Sequence, residues 1–274
     1  MPHAKTQDGT KIYYKDWGAG RPIVLMHGWP LTGDTFDDLA IALVEAGMRC
    51  IVPDRRGFGR SDQPWNGYDY DTFTDDVEAV LADAGIDGPV AIAGFSMGGG
   101  EVARFVKRHG SAKASHALLL SSVVPKVAQS DDWPDGVPAD KLAQITADMK
   151  ADRAGFMRTF LKQFYGVGMI SHPVSDGVLD ASFQQTMMAG ARPTYAAAAA
   201  WSGTDFRPDL PGFAGIPTLI IHGAADANVP IDATGRKAAE MIPHAQFIEY
   251  AGSPHGILAT DKDRVAQDIL AFLQ

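Results

Sequence analysis

Ser96, Asp226 and His255 are the residues of this chain whose types and surroundings could together transfer an acyl group. Ser96 lies in Gly94-Phe95-Ser96-Met97-Gly98, after the apolar run Val90-Ala91-Ile92-Ala93 and before Glu101-Val102-Ala103-Arg104-Phe105-Val106. The first run predicts a buried strand and the second a helix. A serine at a sharp strand-to-helix turn presents its hydroxyl as a nucleophile. Small residues two before and two after it let the chain reverse, and the helix N-terminus behind it favours developing negative charge. Alone, the five-residue pattern is weak in a chain with 29 glycines. The flanking strand and helix sharpen it into an expectation of serine-based acyl transfer.

Such a serine needs a base, and the base needs an orienting acid. In this arrangement the two follow in the order acid, then histidine, each just past a later strand. Pro217-Thr218-Leu219-Ile220-Ile221 is apolar and is followed by His222-Gly223-Ala224-Ala225-Asp226; Gln246-Phe247-Ile248-Glu249-Tyr250 is followed by Ala251-Gly252-Ser253-Pro254-His255-Gly256. Asp226 and His255 are therefore expected at the carboxyl ends of strands, the edge where open α/β sheets bind ligands. Blander readings stand beside these: Ser96 as a small residue in a tight turn, Asp226 as a cap for the segment after Val229-Pro230, His255 as a solvated loop side chain. His27 and His222 each precede a glycine after a strand and read as loop-bracing hydrogen-bonders. His3, His109, His116, His172 and His244 have no partner pattern.

Two backbone N–H groups are expected to hold the oxyanion: that of Met97, after the nucleophile, and that of Trp29, in the loop His27-Gly28-Trp29-Pro30 after the strand Pro22-Ile23-Val24-Leu25-Met26. Pro30 has no N–H and restricts Trp29 to extended conformations. The indole of Trp29 is expected to wall the pocket as well.

The elements that must carry these groups alternate as a parallel sheet with crossover helices requires. Lys11–Trp17 predicts an early strand, paired in a hairpin with the residues before Asp8-Gly9. Phe36–Ala46 predicts a helix, Arg49–Pro53 a strand, and Thr72–Ala84 a helix with Phe73, Val77, Val80 and Leu81 at helical spacing. His116–Leu120 predicts another strand. From Pro125 to Pro208 the strand rhythm stops, and a segment rich in Ala, Met and Phe predicts helices forming a cap over the site. The β/α alternation then resumes and closes with a helix over Val265–Phe272.

With these motifs in view, the chain resembles an α/β-hydrolase of the bacterial aryl esterase group, also known as cofactor-free haloperoxidases or perhydrolases. The likeness runs nearly end to end, through His27-Gly28-Trp29-Pro30, Asp54-Arg55-Arg56-Gly57-Phe58-Gly59-Arg60-Ser61, the Ser96 turn, Thr204-Asp205-Phe206-Arg207-Pro208-Asp209 and Pro254-His255-Gly256. It implies one domain over 1–274, with a mostly parallel eight-stranded sheet and flanking helices in a core of 1–124 and 209–274, and a helical cap insertion at 125–208. It implies Ser96, Asp226 and His255 as the triad, with Trp29 and Met97 as oxyanion donors. It also implies cleavage of small aryl esters without a cofactor or metal, peracid formation when peroxide replaces water, and homo-oligomers of trimer or hexamer size. Phe156, Phe160 and Phe164 form a helical stripe. The resemblance assigns Phe160 and Phe164 to the substrate pocket and leaves Phe156 to the core; Val229, close to Asp226 in the chain, is expected at the pocket too. Lactam or amide hydrolysis on the same triad and a silent small-ligand binder are the alternatives. Related dehalogenases and epoxide hydrolases use an aspartate where this chain has Ser96.

Composition agrees. The 274 residues are enough for one large α/β domain with a full core, and 46% apolar content is ordinary for a globular chain. A net charge of −9 argues against nucleic acid as the main partner. The single cysteine, Cys50, sits in an apolar run and reads as a small core residue. Neither a signal peptide nor an uncharged apolar run near the roughly 20 residues of a membrane span is evident, so a cytoplasmic location is expected. The glycines do not match a dinucleotide-binding spacing, and no zinc-protease motif is present.

Overall fold

The computed structural model describes residues 2–274. Among these, strands β1 (His3–Lys5), β2 (Lys11–Gly18), β3 (Arg21–Met26), β4 (Met48–Pro53), β5 (Val90–Phe95), β6 (Ala114–Leu120), β7 (Thr218–Gly223) and β8 (Gln246–Tyr250) form one sheet. Its order is β1-β2-β4-β3-β5-β6-β7-β8. The pairs β1/β2 and β2/β4 are antiparallel and every other pair is parallel. The hairpin expected across Asp8-Gly9 is present: Thr6 and Thr10 close it through backbone bonds, and Gly9 turns at φ 88°.

Pleating sends alternate residues to opposite faces. Ile23 and Leu25 of β3 join Cys50 and Val52 of β4 in one apolar layer, whereas Val24 and Met26 join Ile51 and Ile92 in the other. Helices α1 (Asp37–Glu45) and α10 (Lys262–Phe272) cover the first layer through Leu39, Leu43, Val265 and Ile269. Helices α2 (Tyr70–Asp83) and α3 (Gly98–His109) cover the second through Phe73, Val77, Val102 and Phe105. The α2 helix starts earlier than its apolar spacing predicts, because the Asp69 side chain caps it by accepting from the Thr72 N–H at 2.9 Å. Cys50 is buried, and burial pushes its thiol up to about 12, which suits a packed residue rather than a nucleophile.

Between β6 and β7 the chain leaves the sheet and forms α4 (Ala139–Ala151), α5 (Arg153–Phe164), α6 (Asp176–Met188) and α7 (Ala191–Gly203). The stretch before α4, expected to be helical, is instead tied by isolated bridges between Ala128 and Val137 and between Ser130 and Trp133. Prolines at 125, 134 and 138 deny it a continuous helical ladder. Two short helices, α8 (Gly235–Met241) and α9 (Ile257–Thr260), complete the chain. No helix of the described residues is long and apolar enough to cross a membrane.

Candidate active site

Parallel strands β3, β5, β7 and β8 deliver the loops that follow them to one edge of the sheet, and all the predicted chemical groups lie in those loops. Between β5 and α3 the chain reverses at Ser96, whose φ of 55° is a left-handed conformation costing a non-glycine residue of order 1–3 kcal/mol. The turn is pinned by the Ser96 N–H donating to Leu120 O at 2.8 Å and the Val123 N–H donating to Ser96 O at 3.2 Å. A Cβ on Gly94 would fall 2.1 Å from Gly98 O, and one on Gly98 2.1 Å from Met26 O, so the reversal requires glycine at both.

His255 Nε2 stands 2.9 Å from Ser96 Oγ, and its Nδ1 stands 2.5 Å from Asp226 Oδ2. All three side chains are buried. The His255 ring is held between Phe95, tilted at 5.2 Å, and Phe164, edge-on at 4.8 Å. Burial on its own would raise the Asp226 carboxyl, but His255 beside it and hydrogen bonds from His222 and His255 outweigh that and keep it well below the usual carboxylate range. Asp226 Oδ1 also accepts from the N–H groups of Asn228 (2.9 Å) and Val229 (2.8 Å). Oδ1 thus holds the turn before Pro230, rather than the segment after it that the sequence suggested, while Oδ2 faces His255. An ionised carboxylate on a neutral imidazole that faces a hydroxyl can make that hydroxyl nucleophilic.

The loop after β3 packs directly on this group: a Cβ on Gly28 would lie 2.9 Å from Ser96 Cβ. Among the described residues neither the Trp29 nor the Met97 N–H donates to a protein acceptor, which leaves both available to an incoming oxyanion. The Trp29 indole N–H donates to Thr194 O in α7 at 3.0 Å, and its ring packs edge-on against Phe160 at 5.2 Å.

Ser96 and His255 open onto a chamber of about 460 Å³ walled by Trp29, Phe156, Phe160, Trp201 and Val229, with Lys141, Asp148 and Asn228 among its polar lining. Trp29, Phe160 and Val229 thus lie where the sequence reading expects them, but the other two phenylalanines exchange places. Phe164 does not line the chamber: it is 1% exposed and packs behind His255, where its carbonyl accepts from the Gly256 N–H at 2.8 Å. Phe156, expected in the core, forms part of the wall. The reason is helical pitch. Each i to i+4 step advances about 40° around the axis, so Phe156 and Phe164 on α5 face about 80° apart.

The supports of the site carry little signal in the sequence. A buried ion pair joins Arg55, after β4, to Glu101 in the first turn of α3, with Nε to Oε1 at 2.9 Å. Arg55 Nη2 also donates to His27 O at 2.5 Å, and the Arg55 N–H donates to His27 Nε2 at 2.9 Å. His27 thus braces the loop as expected, and the pair ties that loop to the helix behind Ser96. The charged residues in Asp54–Ser61 carry this signal, without saying which acid answers which base. Either Arg55→Met or Glu101→Leu is expected to lower stability by about 3–5 kcal/mol, since each leaves a buried charge uncompensated, while the double variant recovers most of it. Urea unfolding of the three variants, read as midpoints at constant slope, checks this. His222, read as a loop brace, lies at the end of β7 with its Nε2 3.0 Å from Val229 O and 3.2 Å from Asp226 Oδ2. A histidine four residues before the acid is the signal that could have found the second contact.

A family model described as the alpha/beta hydrolase fold matches residues 21–262. The chain is 43% identical over 279 residues to the non-heme chloroperoxidase CPO-A1 of Kitasatospora aureofaciens, covering 100% of this chain and 99% of that one. It is 37% identical over 277 residues to the bifunctional esterase/perhydrolase DCH of Acinetobacter calcoaceticus, covering 100% of both. The crystal structure of a bromoperoxidase from Bacillus anthracis superposes with a TM-score of 0.95 at 40% identity over 99% of each chain.

Proposed function

Since the chain belongs to the alpha/beta hydrolases, in their group of bacterial aryl esterases and non-heme haloperoxidases, we propose that Ser96, His255 and Asp226 perform its chemistry as nucleophile, base and orienting acid. The protein is a carboxylic ester hydrolase acting through an acyl-enzyme, with perhydrolase side activity. The observation that carries the residue assignment is the unbroken relay from Ser96 Oγ through both nitrogens of His255 to Asp226 Oδ2, at the floor of the chamber.

His255 Nε2 accepts the Ser96 proton as Oγ bonds to the ester carbonyl carbon, and Asp226 stabilises the imidazolium without taking its proton. The Trp29 and Met97 N–H groups hold the oxyanion, each such donor lowering the barrier by about 3–4 kcal/mol. Collapse of the intermediate breaks the bond to the alkoxy oxygen, which leaves with the proton from His255. Water then attacks the acyl-enzyme, gives His255 a proton, and releases the acid and free Ser96. Hydrogen peroxide in the same step releases a peracid, which oxidises halide in solution.

A series of p-nitrophenyl esters of rising acyl length, run with and without peroxide, tests this reading. The expected outcome is fastest turnover on short chains, with peracid accumulating when peroxide is present. Rates should fall as the medium is acidified, because a protonated imidazole cannot accept the serine proton. Absence of turnover on every ester, or a rate flat down to about pH 4, removes it. We further propose that the protein is a cytoplasmic homo-oligomer, trimer or hexamer. Met169 and Ile170 are apolar residues 99% and 98% exposed, and light scattering of the purified protein reads the mass.

A further inference from the structure

Asp226 is gripped by a second imidazole that the acyl-transfer scheme leaves idle. His222 is fully buried, and its Nε2 faces both Val229 O and Asp226 Oδ2. A carbonyl only accepts, so Nε2 carries the proton and the neutral ring has its lone pair on Nδ1. That nitrogen is buried with no hydrogen-bond partner, and a Cβ on Gly235 would lie 2.7 Å from it. The ring thus presents a donor at Nε2 and an unanswered nitrogen at Nδ1.

We propose that His222 is a positioning residue for ester hydrolysis. Its Nε2–H, which donates to Val229 O at 3.0 Å and lies 3.2 Å from Asp226 Oδ2, draws on that oxygen's charge and so limits how tightly the carboxylate holds the protonated base. The inference rests on the triad assigned above. Oδ1 is bound by the Asn228 and Val229 N–H groups and Oδ2 by His255, which stops the carboxylate rotating and keeps Oδ2 3.2 Å from His222 Nε2. The titratable groups facing Asp226 are His222 from β7 and His255 from the loop after β8. Without His222 the charge on Oδ2 would concentrate in the bond to His255, the imidazolium would be favoured, and the base would be lost at a higher pH. The buried, unanswered Nδ1 fits this role: an aliphatic residue would fill β7 without that cost, and only the Nε2–H is gained in exchange.

The test compares pH profiles of kcat/KM on p-nitrophenyl acetate for His222→Leu, which removes the donor at similar volume, and His222→Gln, which offers an amide N–H in its place. In the leucine variant kcat is expected to fall about threefold to tenfold with KM little changed. Its acid limb is expected to move up by about half a pH unit or more. The glutamine variant should return the limb to its native position. An unmoved limb in the leucine variant, whatever its kcat, overturns the proposal, as does a glutamine variant displaced as far as the leucine one. Should the leucine variant fail to fold, His222→Asn replaces it: polar but too short to reach Oδ2, it should show the same displacement, and a native limb there is equally fatal. Ser96→Ala, measured alongside, separates the two claims. Native turnover in that variant removes the triad itself, whereas an unmoved limb with Ser96→Ala inactive removes only the role of His222.

Discussion

Ser96→Ala is expected to reduce kcat by roughly 10⁴- to 10⁶-fold with KM changed little, because the nucleophile acts in the chemical step and the chamber does the binding. Ser96 lies 2.9 Å from His255 Nε2, and removing its oxygen leaves the base with nothing to activate but water. The remaining acceleration would come from the Trp29 and Met97 N–H groups and from holding the ester in place. The fold should not suffer, since the alanine inherits the same backbone at φ 55° and the pinning bonds to Leu120 and Val123 use only main-chain atoms. Initial rates on p-nitrophenyl acetate, with circular dichroism as a control, measure it. Turnover within a factor of about ten of native would show that another group attacks the ester.

Asp226→Asn is expected to cost about 10⁴-fold in kcat, and the geometry dictates why. The Oδ1 position receives N–H groups from Asn228 and Val229, so an asparagine must keep its carbonyl oxygen there. Its NH₂ then points at Nδ1 of His255, which donates to this position in the native protein. His255 relieves the clash by moving its proton to Nε2, the nitrogen facing Ser96, and ceases to be a base. The loss should be in kcat rather than KM, and activity should recover as rising hydroxide substitutes for the base. A variant with near-native kcat at neutral pH would contradict the assignment of Asp226. The native carboxylate is held below its ordinary range, so the fall of activity on acidification belongs to the imidazole and not to the acid.

The chamber shows where sequence reasoning stops. A stripe of phenylalanines at i, i+4 and i+8 establishes that α5 has an apolar face, and nothing in that spacing says what the face meets. Phe160 walls the chamber beside Trp29, while Phe164 supports the His255 ring from behind. The α7 carbonyl of Thr194 that holds the Trp29 indole carries no sequence signal, because every residue owns a carbonyl.

What the sequence determined by itself is local: where strands end, where helices begin, and that Ser96, Asp226 and His255 follow strand ends in that order. Those features follow from the two- and 3.6-residue periods and from turn chemistry, which neighbouring residues decide among themselves. Tertiary structure alone decided the rest. It brought Ser96 within 2.9 Å of a histidine 159 positions away, matched Arg55 with Glu101, and set His222 against the acid. Such pairings depend on the order of strands in the sheet and the seating of the cap, and both are chosen by the burial of whole apolar faces rather than by any short run of residues.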